Sequence, residues 1–139
     1  MAVVAKTVSR VGVLGLGYVG LPLAISFARK FDVTGFDISA HRIATLQAGH
    51  DYTNEVTPEE LNASTLKITG DPEALRGCDV FIVTVPTPVD ESRRPDFGAL
   101  DGACRTVGTV IEPGAMIVFE STVYPGATEE ICAPVIEQR

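Results

Sequence analysis

Val11-Gly12-Val13-Leu14-Gly15-Leu16-Gly17-Tyr18-Val19-Gly20, answered downstream by Val33-Thr34-Gly35-Phe36-Asp37, is the stretch that decides the fold. An apolar, β-branched run from Arg10 to Leu14 enters glycines in the order G-x-G-x-x-G, and a segment of small and apolar residues, Tyr18 to Lys30, opens inside them. The pattern is strand, tight turn, helix, and it reads as a dinucleotide clamp. Gly15 permits the turn, Gly17 removes the Cβ that would block a pyrophosphate, and Gly20 lets the helix pack closely on the sheet. The helix start offers N–H groups and its positive dipole end to the phosphates. Asp37, at the end of the next strand, is placed to accept hydrogen bonds from the adenosine ribose hydroxyls. Its charge opposes a 2′-phosphate, so NAD is favoured over NADP.

A second reading of Val11 to Ala28, almost continuously apolar, is a signal peptide or membrane span. Its glycines and Pro22 interrupt it, no A-x-A-like cleavage site follows, and a buried strand plus a core-facing helix accounts for the apolarity. Pro22 falls early in the helix, where a missing N–H costs little. The 139 residues are enough for one domain, and 45% hydrophobic with 21% charged residues is an ordinary globular composition. The formal net charge of −7, without a lysine or arginine cluster, argues against a nucleic-acid partner. A backbone clamp tolerates that charge because it binds anions through N–H groups. Cys78, Cys104 and Cys132 are widely spaced and form no C-x-x-C pair, so no metal site or disulfide framework is indicated. They read as small buried hydrophobes in a reduced, cytoplasmic protein. His41 and His50 read as surface or boundary residues.

Strand and helix patterns alternate along the chain, which predicts an α/β, Rossmann-like doubly wound parallel sheet with helices on both faces. The expected strands lie at about 10–15, 32–37, 66–69, 79–85 and 115–119, and the helices at about 18–30, 39–48, 58–63, 98–111 and 126–138. Thr57-Pro58-Glu59-Glu60 is a capping box with proline at the first helical position, and Asp71-Pro72-Glu73 repeats the logic for a short turn of helix. Phe81 to Val85 suits a strand buried on both faces.

In such a sheet ligands bind beyond the carboxyl ends of the strands, beside the first one. The glycine turn, Pro86-Thr87-Pro88 and Glu120-Ser121-Thr122-Val123-Tyr124-Pro125-Gly126 converge there. Thr87 and Thr122 bring hydroxyls suited to a ribose, an amide or a water. The alternatives stay open: the proline loop as punctuation, and Ser121 or Thr122 as a helix cap. Asp96 reads as a cap, and Arg93-Arg94 is an adjacent pair of cations attractive to a phosphate.

Taken together, Gly15-Leu16-Gly17-Tyr18-Val19-Gly20-Leu21-Pro22-Leu23-Ala24, Gly35-Phe36-Asp37-Ile38, Val85-Pro86-Thr87-Pro88, Arg94-Pro95-Asp96 and Glu120-Ser121-Thr122-Val123-Tyr124-Pro125-Gly126-Ala127-Thr128-Glu129-Glu130 resemble the amino-terminal NAD-binding domain of the UDP-glucose/GDP-mannose dehydrogenase family. The Val-Pro-Thr-Pro and Ser-Thr-Val-Tyr-Pro-Gly variants are most similar to the branch that oxidises UDP-N-acetylhexosamines for capsule, O-antigen and Vi-type polysaccharides. The resemblance implies oxidation of a sugar C6 alcohol to the carboxylate with two NAD, through an aldehyde captured by a cysteine thiolate and a thioester released by water. It places Gly15, Gly17, Tyr18, Val19, Gly20, Asp37, Arg42, Val85, Thr87 and Thr122 along the cofactor, with Thr122 also ordering the catalytic water. It further implies a UDP-sugar substrate and a homodimer formed through other regions, while the glycines and Pro22 that break the apolar run argue for no membrane partner.

The resemblance implies that the family's catalytic glutamate, lysine, asparagine and cysteine, its sugar-binding domain and the strand that completes the dinucleotide domain have no counterpart among residues 1–139. The expectation is a single NAD-binding domain, part of a longer enzyme and inactive by itself. Two other functions are compatible with the clamp alone: a small NAD-dependent reductase or hydroxy acid dehydrogenase, and a non-catalytic NAD-sensing module.

Overall fold

The computed structural model describes residues 8–85, 91–92 and 98–120. Five parallel strands, β1 (Arg10–Leu14), β2 (Asp32–Phe36), β3 (Lys67–Thr69), β4 (Val80–Val83) and β5 (Met116–Phe119), form one sheet in the order β3-β2-β1-β4-β5. The helices are α1 (Gly20–Ala28), α2 (Ala40–Gln47), α3 (Pro58–Ala63) and α4 (Gly98–Val110), with a 3₁₀ turn at Pro72–Leu75. The strand order runs outward from β1 through β2 to β3 and then returns to β4 on the other side of β1. A switch point therefore lies between β1 and β4, and crevices that bind ligands form at such points. The helix expected at 126–138 falls outside the described residues.

Successive side chains of a strand alternate between faces, and both faces of this sheet are covered. Val11 and Val13 pack with Leu21, Ala24 and Ile25 of α1, with Ile43 and Leu46 of α2 and with Leu61 of α3. Leu14, Phe81 and Val83 pack on the other side with Leu100, Cys104 and Val107 of α4 and with Leu75. Burial on both sides explains why β1 and β4 read as unbroken apolar runs. Each of these large side chains contributes about 1.5–3 kcal/mol on full burial, so the two layers, not local propensity, hold the sheet.

The short helices begin where their caps are. Arg42 N–H donates to the Ser39 hydroxyl at the start of α2 (3.2 Å), Glu60 N–H to the Thr57 hydroxyl at α3 (3.1 Å), and Glu73 N–H to the Asp71 carboxylate at the 3₁₀ turn (3.0 Å). The first helix differs from expectation, opening at Gly20 and not at Tyr18. Tyr18 and Val19 belong to the turn, and the first helical bond is from Leu21 N–H to the Gly17 carbonyl (3.2 Å). Strand β4 ends two residues early because Thr84 turns its hydroxyl back onto β1, 3.0 Å from the Leu14 carbonyl oxygen and 2.6 Å from that of Gly15.

Candidate functional site

The site grows out of the turn that leaves β1. Gly15 has φ +97°, a left-handed conformation that side chains rarely adopt. Its N–H donates to the Phe36 carbonyl at 2.8 Å, so the turn starts while still attached to β2. A Cβ on Gly15 would also meet the Thr84 backbone and the Val85 side chain at 3.2 Å, which places Val85 against the turn. At Gly20 a Cβ would collide with the Gly15 carbonyl and the Thr84 hydroxyl. Gly17 is the opposite case: a Cβ there meets nothing within 4 Å, so its absence leaves open space above the backbone. The start of α1 takes no side-chain cap and carries no acidic residue in its first turn. Open backbone beneath an uncapped helix start suits the pyrophosphate of a dinucleotide. Tyr18 and Val19, at 68% and 56% exposure, flank it.

Leu16 is fixed at three points. Its N–H donates to Asp37 Oδ2 (2.9 Å), its carbonyl accepts from Arg42 Nε (2.7 Å), and its side chain fills the place that a Cβ on Gly35 would take, 2.9 Å from Leu16 Cδ2. Asp37 Oδ1 accepts from Ser39 N–H (2.9 Å). The carboxylate expected to receive a ribose is thus held at both oxygens by backbone, and its remaining lone pairs stay available at the half-buried rim. Arg42 is 2% exposed and faces inward. Besides Leu16 it binds Asp51 Oδ1 through Nη1 (2.9 Å), while Nη2 is buried with no hydrogen-bond partner. The half-exposed Tyr52 ring lies over the guanidinium, 4.5 Å from ring centre to carbon, and the exposed His41 ring stacks on Tyr52.

Asp51 was not suggested by the sequence pattern. Besides Arg42 it accepts from the Thr53 N–H (2.9 Å) and hydroxyl (2.6 Å), and from the N–H groups of Glu55 and Val56 (both 3.0 Å). Burial pushes its carboxyl pKa up, but the Thr53, Arg42 and Val56 hydrogen bonds outweigh that and lower it to about 2. Thr84 was also missed, since it reads as one more strand residue. A signal existed for Asp51, because Asp51-Tyr52-Thr53-Asn54 has the composition of an Asx turn. Nothing in the sequence says that the turn folds over Arg42.

Thr87 and Thr122, together with Arg93, Arg94, Asp96, Ser121 and Cys132, lie outside the described residues. Cys78 and Cys104 are buried, Cys78 just before β4 and Cys104 in α4, and burial pushes the Cys78 thiol pKa up. Neither has the character of a nucleophile. Among the described residues no group of three or more histidine, cysteine or acidic side chains is arranged to hold a metal ion, and no helix is long and apolar enough to cross a membrane.

Residues 9–139 match the model of the UDP-glucose/GDP-mannose dehydrogenase family, NAD binding domain. The chain belongs to this family. It is 53% identical over 130 residues to UDP-N-acetyl-D-glucosamine 6-dehydrogenase of Pseudomonas aeruginosa, covering 93% of this chain and 31% of that protein. With the enzyme of the same name from Salmonella typhi the identity is 47% over 128 residues, covering 91% and 30%. The solved UDP-D-ManNAc dehydrogenase of Pyrococcus horikoshii superposes with a TM-score of 0.84 at 41% identity, covering 93% of this chain and 32% of that one. The chain thus spans about a third of the length of the curated relatives it matches. Within the UDP-glucose/GDP-mannose dehydrogenase family this is the NAD-binding domain, and NAD is its cofactor. Membership sets aside the hydroxy acid dehydrogenase reading that the glycine turn alone permits.

Proposed function

We propose that this chain holds NAD for an enzyme that oxidises the C6 alcohol of a UDP-N-acetylhexosamine to the uronic acid. The cofactor half of the reading is carried by Leu16, pinned between Asp37 and Arg42 beside the open backbone of Gly17. The substrate half is supported by the 53% identity to a protein named for UDP-N-acetyl-D-glucosamine. When bound, NAD supplies the hydride acceptor. The chain's own residues bind and orient: the uncapped start of α1 and Gly17 take the pyrophosphate, and Asp37 accepts from the ribose hydroxyls. Tyr18, Val19 and Val85 border the cofactor, and Arg42 acts on it through the backbone of Leu16. Thr87 and Thr122 continue along the cofactor, Thr122 with a second role in ordering water.

We also propose that residues 1–139 do not turn over alone. Cys78 and Cys104 are buried, so neither supplies the thiolate that the second oxidation needs. The whole enzyme is proposed to work as a cytoplasmic homodimer without a nucleic-acid partner, the last supported by the net charge of −7.

Calorimetry on the chain tests the cofactor assignment: NAD should bind more tightly than NADP, and Asp37→Ala should narrow the gap. Equal affinities in the unmodified chain would refute the role of Asp37. A screen of UDP-sugars with the full-length enzyme, followed by NADH absorbance, tests the substrate. A preference for a sugar without the N-acetyl group would overturn that half of the reading.

A further inference from the structure

We propose that Asp51 is a positioning residue for the dinucleotide turn, acting through Arg42 on the carbonyl of Leu16. The inference rests on the reading of this turn as the NAD site. The Leu16 carbonyl lies between the first two glycines of the run, so its direction sets where the Gly17 backbone points. That carbonyl is held by Arg42 Nε at 2.7 Å, in a buried setting where an ionic donor makes a strong hydrogen bond. A guanidinium that is 2% exposed needs a counter-charge to stay inside, and Asp51 Oδ1 at 2.9 Å supplies it, with both side chains of the pair nearly inaccessible.

Asp51 is itself immobilised by the connection between α2 and α3. Four donors from Thr53, Glu55 and Val56 fill the rest of its acceptor capacity. A chain of contacts therefore runs from that connection to the floor of the cofactor site. Without Asp51, Arg42 would retain one carbonyl partner for a buried positive charge, and Nη2 has none already. The guanidinium would move out past the half-exposed Tyr52 ring and release Leu16. The hydrogen bonds of Asp51 run to Arg42 and to its own turn, so its effect on binding passes through Arg42.

Asp79 provides the internal control. It too ties separate segments together, accepting at Oδ2 from the Ser9 N–H (3.0 Å), the Ser9 hydroxyl (3.1 Å) and the Arg10 N–H (3.0 Å), but at the amino-terminal ends of β1 and β4. The experiment compares Asp51→Asn with Asp79→Asn for NAD affinity by calorimetry and for Leu16 amide exchange by NMR, at a temperature where circular dichroism shows both folded. Asp51→Asn should weaken NAD about tenfold, the equivalent of one charged hydrogen bond, and speed Leu16 exchange. Asp79→Asn should lower the unfolding midpoint yet leave NAD affinity within about twofold, as expected for a distant site. Equal losses of affinity in the two variants would reduce Asp51 to a stability role and overturn the proposal. If Asp51→Asn does not fold, Thr53→Ala, which removes the 2.6 Å hydroxyl donor, carries the test. It should weaken NAD by several-fold, and unchanged affinity would count against the relay. Failure of the unmodified chain to bind NAD would instead refute the cofactor reading and leave the Arg42–Asp51 geometry as it stands.

Discussion

The two ends of the sheet handle charge in opposite ways. At the amino-terminal ends of the strands, Asp32 pairs with Arg10 (3.7 Å) and Lys67 (3.0 Å), all with side chains between 38% and 65% exposed. At the carboxyl ends, Arg42 and Asp51 pair at 2.9 Å with side chains 2% and 0% exposed. Solvent screens the first cluster, and its members cost little to separate. The second has no solvent to fall back on, so each partner depends on the other. The buried pair holds the Leu16 carbonyl through Arg42 at 2.7 Å, whereas the exposed pairs tie Arg10 of β1 and Lys67 of β3 to Asp32 of β2. The costlier arrangement coincides with the end proposed to bind NAD.

That contrast can be broken from the buried end first. Removing one member of a buried pair typically costs about 3–5 kcal/mol, but the two members are not equivalent here. Asp51→Ala leaves Arg42 with only the Leu16 carbonyl, so its cost should lie near about 5 kcal/mol. Arg42→Met leaves Asp51 with four donors from its own turn, so its cost should be nearer about 3 kcal/mol. Urea unfolding midpoints for both variants would check the order, and a larger loss in Arg42→Met would show that the turn does not satisfy Asp51.

Acid sharpens the same comparison. Asp51 is held at about 2 when folded against an ordinary 3.8, so the folded state binds this proton less readily than the unfolded one. Its contribution is complete above the unfolded value and fades as pH falls from about 4 towards about 2. Unfolding midpoints measured at pH 5, 4 and 3 should fall less steeply in Asp51→Asn than in the unmodified chain. Parallel curves would place the acid sensitivity elsewhere. The smallest effect belongs to the exposed end: Lys67→Met should change stability by no more than about 0.5 kcal/mol, with the little there is disappearing in high salt. A salt-resistant loss above 1 kcal/mol, on the scale of a partly buried pair, would remove the distinction between the two ends.

The sequence made one half of this comparison readable. Glycines at 15, 17 and 20, an apolar strand before them and Asp37 beyond the next strand are local signals, and each corresponds to a local cause in the structure: a positive φ at Gly15, open space at Gly17, a blocked Cβ at Gly20. Caps at Thr57 and Asp71 were legible for the same reason, because donor and acceptor sit two or three residues apart. Arg42 and Asp51 are nine residues apart on different elements, and a lone aspartate in a polar turn ordinarily reads as solvated. Thr84 is 69 residues from the carbonyl it supports. Their roles exist only after the α2–α3 connection and β4 have been brought against β1. The start of α1 was misjudged by two residues because Tyr18 and Val19 have the composition of helix but the geometry of turn.

Leu16 carries a consequence beyond hydrogen bonding. Its side chain occupies the space left by the missing Cβ of Gly35, the last residue but one of β2. A single methyl group at Gly35, buried in β2 and far from Leu16 along the chain, would press on the residue that shapes the turn. The proposed cofactor turn therefore rests on packing inside the sheet, and a glycine that looks like a weakness in a strand leaves room for the residue that the turn is built on.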